Sequence, residues 1–141
     1  MSTSMQPPFA PPTRGQGEAI DLLGKITLID GHWQPRVVAE MNDYQFKLVK
    51  LEGDFVWHVH SDTDETFIVL DGKLHIDVRG TGTSGRPILL RAGQMAVVPK
   101  GIEHRPRAHG EVKLLLIEPR GVLNTGNGAT NERTALNDLW I

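Results

Sequence analysis

The chain has 141 residues, enough for one domain at roughly 100–200 residues each. Its 15 Lys and Arg residues nearly balance its 17 Asp and Glu residues, for a net charge of −2. We therefore expect neither nucleic acid nor a membrane as a partner, and no apolar run of about 18 residues is present that could span a bilayer. Cysteine is absent, which excludes disulfides, thiolate catalysis and cysteine-based metal sites.

Three parts of the chain differ in composition. Residues 1–17 contain four of the nine prolines and bury little apolar surface, so we predict a flexible tail. This end also lacks the basic and apolar regions of a secretory signal, which predicts a cytoplasmic protein. Residues 18–120 carry the apolar patterning of one domain. Residues 121–141 form an extension that ends in Leu139-Trp140-Ile141, which we expect to pack on the barrel or on a partner subunit.

Short apolar runs separated by turn residues predict the secondary structure. Residues 18–23 could form one helical turn or a short strand. The Asp71-Gly72 pair is typical of a two-residue hairpin, and the residues after it alternate apolar and polar. Many strands at a spacing of about 8–12 residues indicate an all-β sandwich or barrel. The predicted strands are 25–30, 36–41, 44–51, 55–60, 66–70, 74–78, 87–91, 95–98 and 112–117.

Histidines in this pattern suggest a metal site. His58 and His60 are two residues apart on a predicted strand, so both rings project from the same face. Glu65 follows across a short polar loop, and His104 comes after a constrained turn much later in the chain. Three imidazoles and one carboxylate suit a divalent first-row metal such as Zn, Mn, Fe or Ni. A His-x-His pair alone, however, is more often two half-buried, hydrogen-bonded histidines in a strand.

The spacing of glycines, prolines and ligand residues narrows the choice. The first block reads Gly53-x4-His58-x-His60-x4-Glu65-x6-Gly72, and the second reads Gly93-x5-Pro99-x-Gly101-x2-His104. Together they resemble the two motif blocks of the cupin superfamily. In two respects the chain departs from that pattern: four rather than five residues separate Gly53 from His58, and the position of the closing Asn of the second block is occupied by Ala108. Neither departure touches a ligand position.

The resemblance implies a jelly-roll barrel with one divalent metal near its mouth, held by His58, His60, Glu65 and His104. It also implies chemistry on a small, oxygen-rich substrate, by an isomerase, epimerase, lyase or dioxygenase reaction that the residues do not distinguish. The alternative is a cupin that binds a small molecule without turning it over. Small cupins are commonly dimers, so we expect a homodimer, with Leu139-Trp140-Ile141 as a plausible contributor.

Six further residues are candidates for catalysis or substrate binding. The loop acids Asp62 and Asp64 could join Glu65 in acid–base chemistry, although such residues are usually solvated turn formers. A substrate carboxylate or phosphate could be bound by the guanidinium groups of two arginines, which could equally be surface charges. Aromatic residues could line the barrel or simply fill its core. Polar strand residues such as Lys47 could face either the interior or solvent. The arginine and aromatic candidates are Arg105, Arg107, Trp57 and Phe67.

Overall fold

The computed structural model describes residues 17–127, 130–132 and 134–141. Almost all of the predicted flexible tail, 1–17, therefore lies outside the described residues. The described chain is one short helix followed by antiparallel strands, so the all-β prediction is confirmed. In chain order the elements are α1 (Leu22–Ile26), β1 (Arg36–Met41), β2 (Tyr44–Asp54), β3 (Glu65–Asp71), β4 (Lys73–Arg79), β5 (Ile88–Arg91), β6 (Met95–Val98) and β7 (Glu103–Pro119).

The longest strand, β7, organises the sheet. Strand β2 runs antiparallel to it along one side, from Tyr44 opposite Pro119 to Asp54 opposite Arg107. Strands β3 and β4 share its other side, with β3 along its second half and β4 along its first half. Strand β1 extends the sheet beyond β2, β6 lies beyond β3, and β5 lies beyond β4. Both halves of the barrel are thus hydrogen bonded to one strand.

The Asp71-Gly72 hairpin prediction was wrong. Strands β3 and β4 do not pair with each other; both continue in the same direction along β7. Gly72 makes the bend between them with a φ of 92°, a conformation that costs glycine little. A Cβ atom at this position would lie 2.8 Å from the Glu111 carbonyl oxygen. The glycine therefore lets the chain move from one half of β7 to the other at close range.

Two apolar clusters hold the sheet together. The larger fills the barrel interior, where Val49, Phe67, Leu74 and Leu114 project from four different strands. The smaller lies on the outer face, where α1 covers Leu48 and its neighbours with Ile26. Burial therefore alternates along the strands, because successive side chains of a strand point to opposite faces.

Two predicted strands are corrected. Residues 25–30 are not a strand but the end of α1 and the turn after it. The Asp21 side chain accepts a hydrogen bond from the Gly24 N–H and caps the helix. Ile26 and Ile29 are then buried three residues apart, a helical rather than an alternating spacing. Residues 55–60 make only one isolated bridge, between His58 and His104.

The end of the chain pairs with the first strand of its own barrel. The Leu139 carbonyl accepts a hydrogen bond from the Val37 N–H at 2.7 Å, and the Ile141 N–H donates to the Val37 carbonyl at 3.1 Å. Ile141 joins the outer apolar cluster. Across the part of the chain described here, no helix has the length and apolar character needed to cross a membrane.

Candidate metal centre

The four predicted ligand residues come from three separated stretches of the chain. His104 lies near the start of β7, and its backbone exchanges two hydrogen bonds with that of His58, at 2.9 and 3.0 Å. This bridge places the two imidazole rings 4.3 Å apart between centroids. Glu65 is the first residue of β3. The tight pairing of an irregular segment with a strand therefore brings distant side chains to one place.

The turn before β7 is tied to the segment that carries His60. The Gly101 N–H donates to the His60 carbonyl at 2.9 Å, and Gly101 has a φ of 81°, which favours glycine. The Asp64 carboxylate accepts a hydrogen bond from the Lys100 N–H at 2.9 Å. These contacts fix His60 and His104 relative to each other. Asp64 therefore anchors this turn, with its side chain at the surface.

The cluster formed by His58, His60, Glu65 and His104 is compact and buried. One ligand atom from each residue lies within 4.8 Å of the others. The Glu65 Oε1 atom is 3.2 Å from His104 Nε2 and 3.4 Å from His60 Nε2. None of the four residues is more than 7% exposed. Such a group of nitrogen and oxygen donors has the size and chemistry of a site for one divalent transition metal.

Hydrogen bonds orient the rings so that lone pairs face the cluster. Nδ1 of His58 is 2.9 Å from the Val56 carbonyl, and Nδ1 of His104 is 2.9 Å from the Ile102 carbonyl. A carbonyl only accepts, so each Nδ1 donates and each Nε2 keeps a free lone pair. The buried Nε2 of His60 has no hydrogen-bond partner. An orphaned buried nitrogen facing these donors fits a metal ion in their midst.

The pKa values of the cluster residues favour the binding of a cation. Burial, followed by the nearby His104, lowers the pKa of His58 to about 4. Burial raises the pKa of Glu65, but the imidazoles of His104 and His60 beside it outweigh this effect and hold that pKa well below its usual range. At neutral pH the cluster thus offers a neutral imidazole beside a carboxylate. Metal binding then displaces few protons.

An apolar cavity opens beside the cluster, and His58 and Glu65 form part of its wall. Trp33 and Phe55 stack along it with ring centroids 4.7 Å apart. Phe67, a predicted pocket residue, also lines it and packs edge-on against His104. The remaining lining residues are Pro35, Val49, Leu51, Pro106, Leu114, Leu116 and Asn124. The cluster therefore faces a largely aromatic and aliphatic space.

The structure does not bring the other candidates to the cluster. Asp62 is exposed in the loop before β3. Arg105 and Arg107 lie on the outer face of β7, where both bind Asp77. Trp57 lies beneath the guanidinium groups of Arg79 and Arg105 on that same face. These arginines and Trp57 therefore lie away from the cluster, because each alternates with a residue that points inward, and their part in substrate binding stays a prediction.

Two charged residues near the cluster escaped the sequence analysis. Glu118 is 1% exposed and Lys47 is 3% exposed, and the ammonium of Lys47 donates to Glu118 at 2.9 Å. Glu118 was not considered, and Lys47 was left open between interior and solvent. The alternation along the strand indicated that Glu118 points inward, because it lies two and four positions after the buried Leu116 and Leu114.

Comparisons with known proteins agree with the fold and the site. A cupin domain model matches residues 46–118. The solved structure of a cupin-2 domain protein from Shewanella frigidimarina NCIMB 400 is 55% identical, covering 74% of this chain and 98% of its own, with a TM-score of 0.68. The YdbB protein of Bacillus subtilis (strain 168) is 37% identical over 81 residues, which are 57% of this chain and 68% of that protein.

A larger enzyme shares the domain. Hydroquinone 1,2-dioxygenase from Sphingomonas sp. TTNP3, solved with 4-hydroxybenzoate bound, is 27% identical with a TM-score of 0.64. The match covers 78% of this chain but 34% of that enzyme. The cupin model covers more than half of the chain, so the chain belongs to the cupin family. The jelly-roll barrel prediction is thereby confirmed, and the molecule is a small cupin with a His-His-Glu-His cluster that could bind a metal.

Proposed function

We propose that this cupin is a metal-dependent dioxygenase of a small, planar and mostly apolar substrate that carries hydroxyl or enediol oxygens. The observation that supports this most directly is the position of the cluster, which forms part of the wall of a cavity lined by Trp33, Phe55 and Phe67. A flat aromatic wall suits a flat ring or enediol by stacking. The structural similarity to a hydroquinone dioxygenase supports the same chemistry.

Each residue of the site has a defined task in this proposal. His58, His60, Glu65 and His104 would hold the metal, and positions that these four residues do not occupy would be open to substrate and dioxygen. An Fe²⁺ ion, when bound, supplies the electrons and open positions needed to activate dioxygen. Phe55 and Phe67 keep bulk water from the reacting atoms. Both oxygen atoms would enter the product, so no external reductant is required.

The cavity argues against sugar isomerisation and epimerisation. Among the described lining residues, only Trp33, His58, Glu65 and Asn124 carry side chains that can make strong hydrogen bonds, and the Trp33 indole N–H already donates to the Glu52 carbonyl at 3.0 Å. The Asn124 side chain already contacts the Trp33 carbonyl and the Ala135 N–H. A sugar brings a hydroxyl on nearly every carbon, and burying these without partners is costly. A ring with few polar groups loses much less on entering this cavity.

Oxygen uptake tests the proposal. The protein is stripped with a chelator, reloaded without air with Fe²⁺, Mn²⁺, Ni²⁺ or Zn²⁺, and mixed with hydroquinones, catechols, 1,3-diketones and sugars in an oxygen electrode. We expect uptake with Fe²⁺ and a phenolic or enediol substrate. Glu65→Gln should lose it, and Asp77→Asn should retain it, since the same carboxyl-to-amide change then lies on the outer face.

Other outcomes of this experiment point elsewhere. Turnover of a sugar without oxygen uptake would support isomerase or lyase chemistry instead. Binding of a phenol in calorimetry, with no turnover under any metal, would support the non-catalytic binding module. Neither result would affect the metal site itself, which is measured separately by metal analysis.

The assembly and location of the protein remain predictions. We propose a homodimer, but Leu139-Trp140-Ile141 pairs with Val37 of its own barrel, so these residues are weaker contributors than expected. Met95 and Val97 on strand β6 are about half exposed and offer an apolar edge that a second copy could cover. Elution as a monomer at high micromolar concentration would contradict this proposal. The cytoplasmic location can be tested by fractionation.

A further inference from the structure

A buried charged pair lies behind the candidate metal centre. Lys47 of β2 and Glu118 of β7 both point into the barrel, although the neighbouring inward positions are filled by Val49, Leu114 and Leu116. The Lys47 Nζ atom is 2.9 Å from Glu118 Oε1. Apolar residues of similar volume at such positions often give equal or greater stability. The pair therefore calls for a role other than holding the fold together.

The strand register places Glu118 against Glu65. Thr66 of β3 lies opposite Ile117 of β7, so the next positions along the two strands are Glu65 and Glu118. Side chains directly opposite each other on antiparallel strands have Cβ atoms about 4.5–5.5 Å apart, and both of these carboxyl groups are buried. Glu118 Oε2 is buried and has no hydrogen-bond partner. One oxygen of Glu118 is thus held by Lys47, and the other has no partner in the neighbourhood of Glu65.

The ammonium of Lys47 is itself firmly fixed. Besides Glu118, it donates to the Val122 carbonyl and to Asn137 Oδ1, each at 3.3 Å. These three acceptors match the three N–H donors of an ammonium group. Lys47 therefore has one defined position, and its hydrogen bond to Glu118 fixes the position of the Glu118 carboxyl.

We propose that Lys47 and Glu118 are positioning residues for the metal centre: Lys47 orients Glu118, and Glu118 orients the Glu65 carboxylate toward the three histidines. This inference rests on the metal-binding part of the proposed function and not on its dioxygen chemistry. The buried Glu118 carboxyl is held by Lys47 at the inward position opposite Glu65, so it limits the directions in which the Glu65 carboxylate can turn. Partners of this kind commonly set ligand orientation and metal affinity.

Three variants of the full chain test the proposal with Co²⁺ as the probe. Glu118→Gln keeps an oxygen for Lys47 and the size of the side chain opposite Glu65. The double variant Lys47→Met/Glu118→Leu removes both charges together, which avoids leaving one of them buried alone. Gln45→Met is the matched control, because Gln45 is equally buried and lies opposite Glu118 but hydrogen bonds Glu40 and Asp138. Circular dichroism and metal-free thermal unfolding establish that each variant is folded.

We expect the double variant to bind Co²⁺ about 10–100-fold more weakly, the effect typical of losing an outer partner of a ligand. Its Co²⁺ absorption bands should also shift, because a mobile Glu65 changes the coordination geometry. Glu118→Gln and Gln45→Met should keep both the affinity and the spectrum close to those of the wild-type protein. If the pair only stabilised the fold, the Co²⁺ affinity and spectrum would not differ in this way between Glu118→Gln and the double variant.

Several results would overturn the proposal. A folded double variant with unchanged Co²⁺ affinity and spectrum would show that Glu65 needs no help from Glu118. A Glu118→Gln variant as weak as the double variant would refute positioning by a hydrogen bond. Failure of the wild-type protein to bind Co²⁺ would overturn both this inference and the metal centre. Tight Co²⁺ binding without oxygen uptake by the Fe²⁺ protein would refute only the dioxygenase chemistry.

Discussion

The polar groups on the two faces of strand β7 differ in how completely they are hydrogen bonded. On the inner face, His104 lies in a cluster whose His60 Nε2 atom has no hydrogen-bond partner. On the outer face, the neighbouring Arg105 and Arg107 grip one carboxylate, Asp77, with four hydrogen bonds of 2.6 to 3.2 Å. Adjacent residues of one strand thus belong to two different clusters. One contains a buried atom without a hydrogen-bond partner, and in the other the carboxylate is bound by both arginines.

This contrast separates a site from a structural ion cluster. In the outer cluster each charged side chain has an oppositely charged partner, and the side chains remain partly in contact with water. In the inner cluster, three rings and one carboxylate are buried, and the Nε2 atom of His60 has no hydrogen-bond partner. Unsatisfied buried groups are rare in native proteins unless a ligand or water completes them. The four predictions below test this contrast, from the largest expected effect to the smallest.

Replacing His104 by Ala should have the largest effect. It removes one of the four proposed ligands, whose Nε2 atom lies 3.2 Å from Glu65 Oε1. We expect the affinity for Co²⁺ to fall by more than the roughly 100-fold that losing an outer partner can cost. Chelator competition measures the change. Arg105→Ala, one residue away on the other face, is the control and should keep its affinity; equal losses in both variants would abolish the distinction between the faces.

The inner cluster should make the metal-free protein sensitive to acid. The pKa of His58 is about 4 in the folded chain and about 6.5 in the unfolded chain. Between these values the unfolded chain binds a proton that the folded chain does not, so the free energy of unfolding falls as the pH is lowered. The expected loss is about 1.4 kcal/mol per pH unit. Urea unfolding at pH 7 and pH 5 measures it.

A His58→Gln variant should lose this part of the pH dependence between pH 7 and pH 5. The outer cluster behaves differently, because hydrogen bonds from Arg107 and Arg105 lower the pKa of Asp77. Its contribution is complete above the usual aspartate range and disappears only at lower pH. Equal stability of the metal-free wild-type protein at pH 7 and pH 5 would contradict the buried, neutral state of His58.

Asp77→Asn should destabilise the fold without affecting the centre. The change removes the charge that two arginines share, but all three side chains are 13 to 30% exposed. We therefore expect a loss of only about 1 kcal/mol in the free energy of unfolding, with unchanged Co²⁺ affinity. Chemical denaturation and metal titration of the same preparation test both statements. A weakened metal site would mean that the two faces are coupled through β7.

The smallest effect should come from Trp57→Leu. Trp57 stacks beneath Arg79 and Arg105 outside the barrel, although the sequence analysis gave it as a candidate for lining the pocket. We expect Co²⁺ affinity and oxygen uptake to change by less than about twofold, as for most surface substitutions. Phe67→Leu provides the comparison inside the cavity and should alter substrate preference. A loss of uptake in the Trp57 variant alone would place the substrate on the outer face.

Much of the fold could be predicted from the sequence because it depends on local signals. Alternation located most strands, and the motif spacing selected the four residues that the barrel brings together. Which strands pair with each other was harder to predict from the sequence. The Asp71-Gly72 signal indicated a hairpin, since sequence cannot show that both flanking strands pair with β7. The helix that replaced strand 25–30 depends on the Asp21 cap and on an outer sheet face that only the folded barrel supplies.

Within the site, the direction in which each side chain points was what the sequence did not predict. Arg105 and Arg107 follow His104 in sequence and look equally suitable for a substrate, yet the strand turns them away. Glu118 lies 14 positions after His104 and has no motif around it, so only its parity within β7 pointed inward. Its position opposite Glu65 depends on the register between two strands, which the sequence of either one does not specify.

The positions of the buried residues of β7 constrain how the chain can vary in length. Even-numbered residues are buried from His104 to Ala108 and again from Val112 to Glu118, on either side of the exposed Gly110. Inserting a single residue between His104 and Glu118 would turn one of them outward and separate the ligand from the pair behind Glu65. Only insertions of two residues, or of one absorbed by a bulge, would leave both ends in place. Relatives and engineered variants that keep the centre should therefore follow this counting rule along the strand.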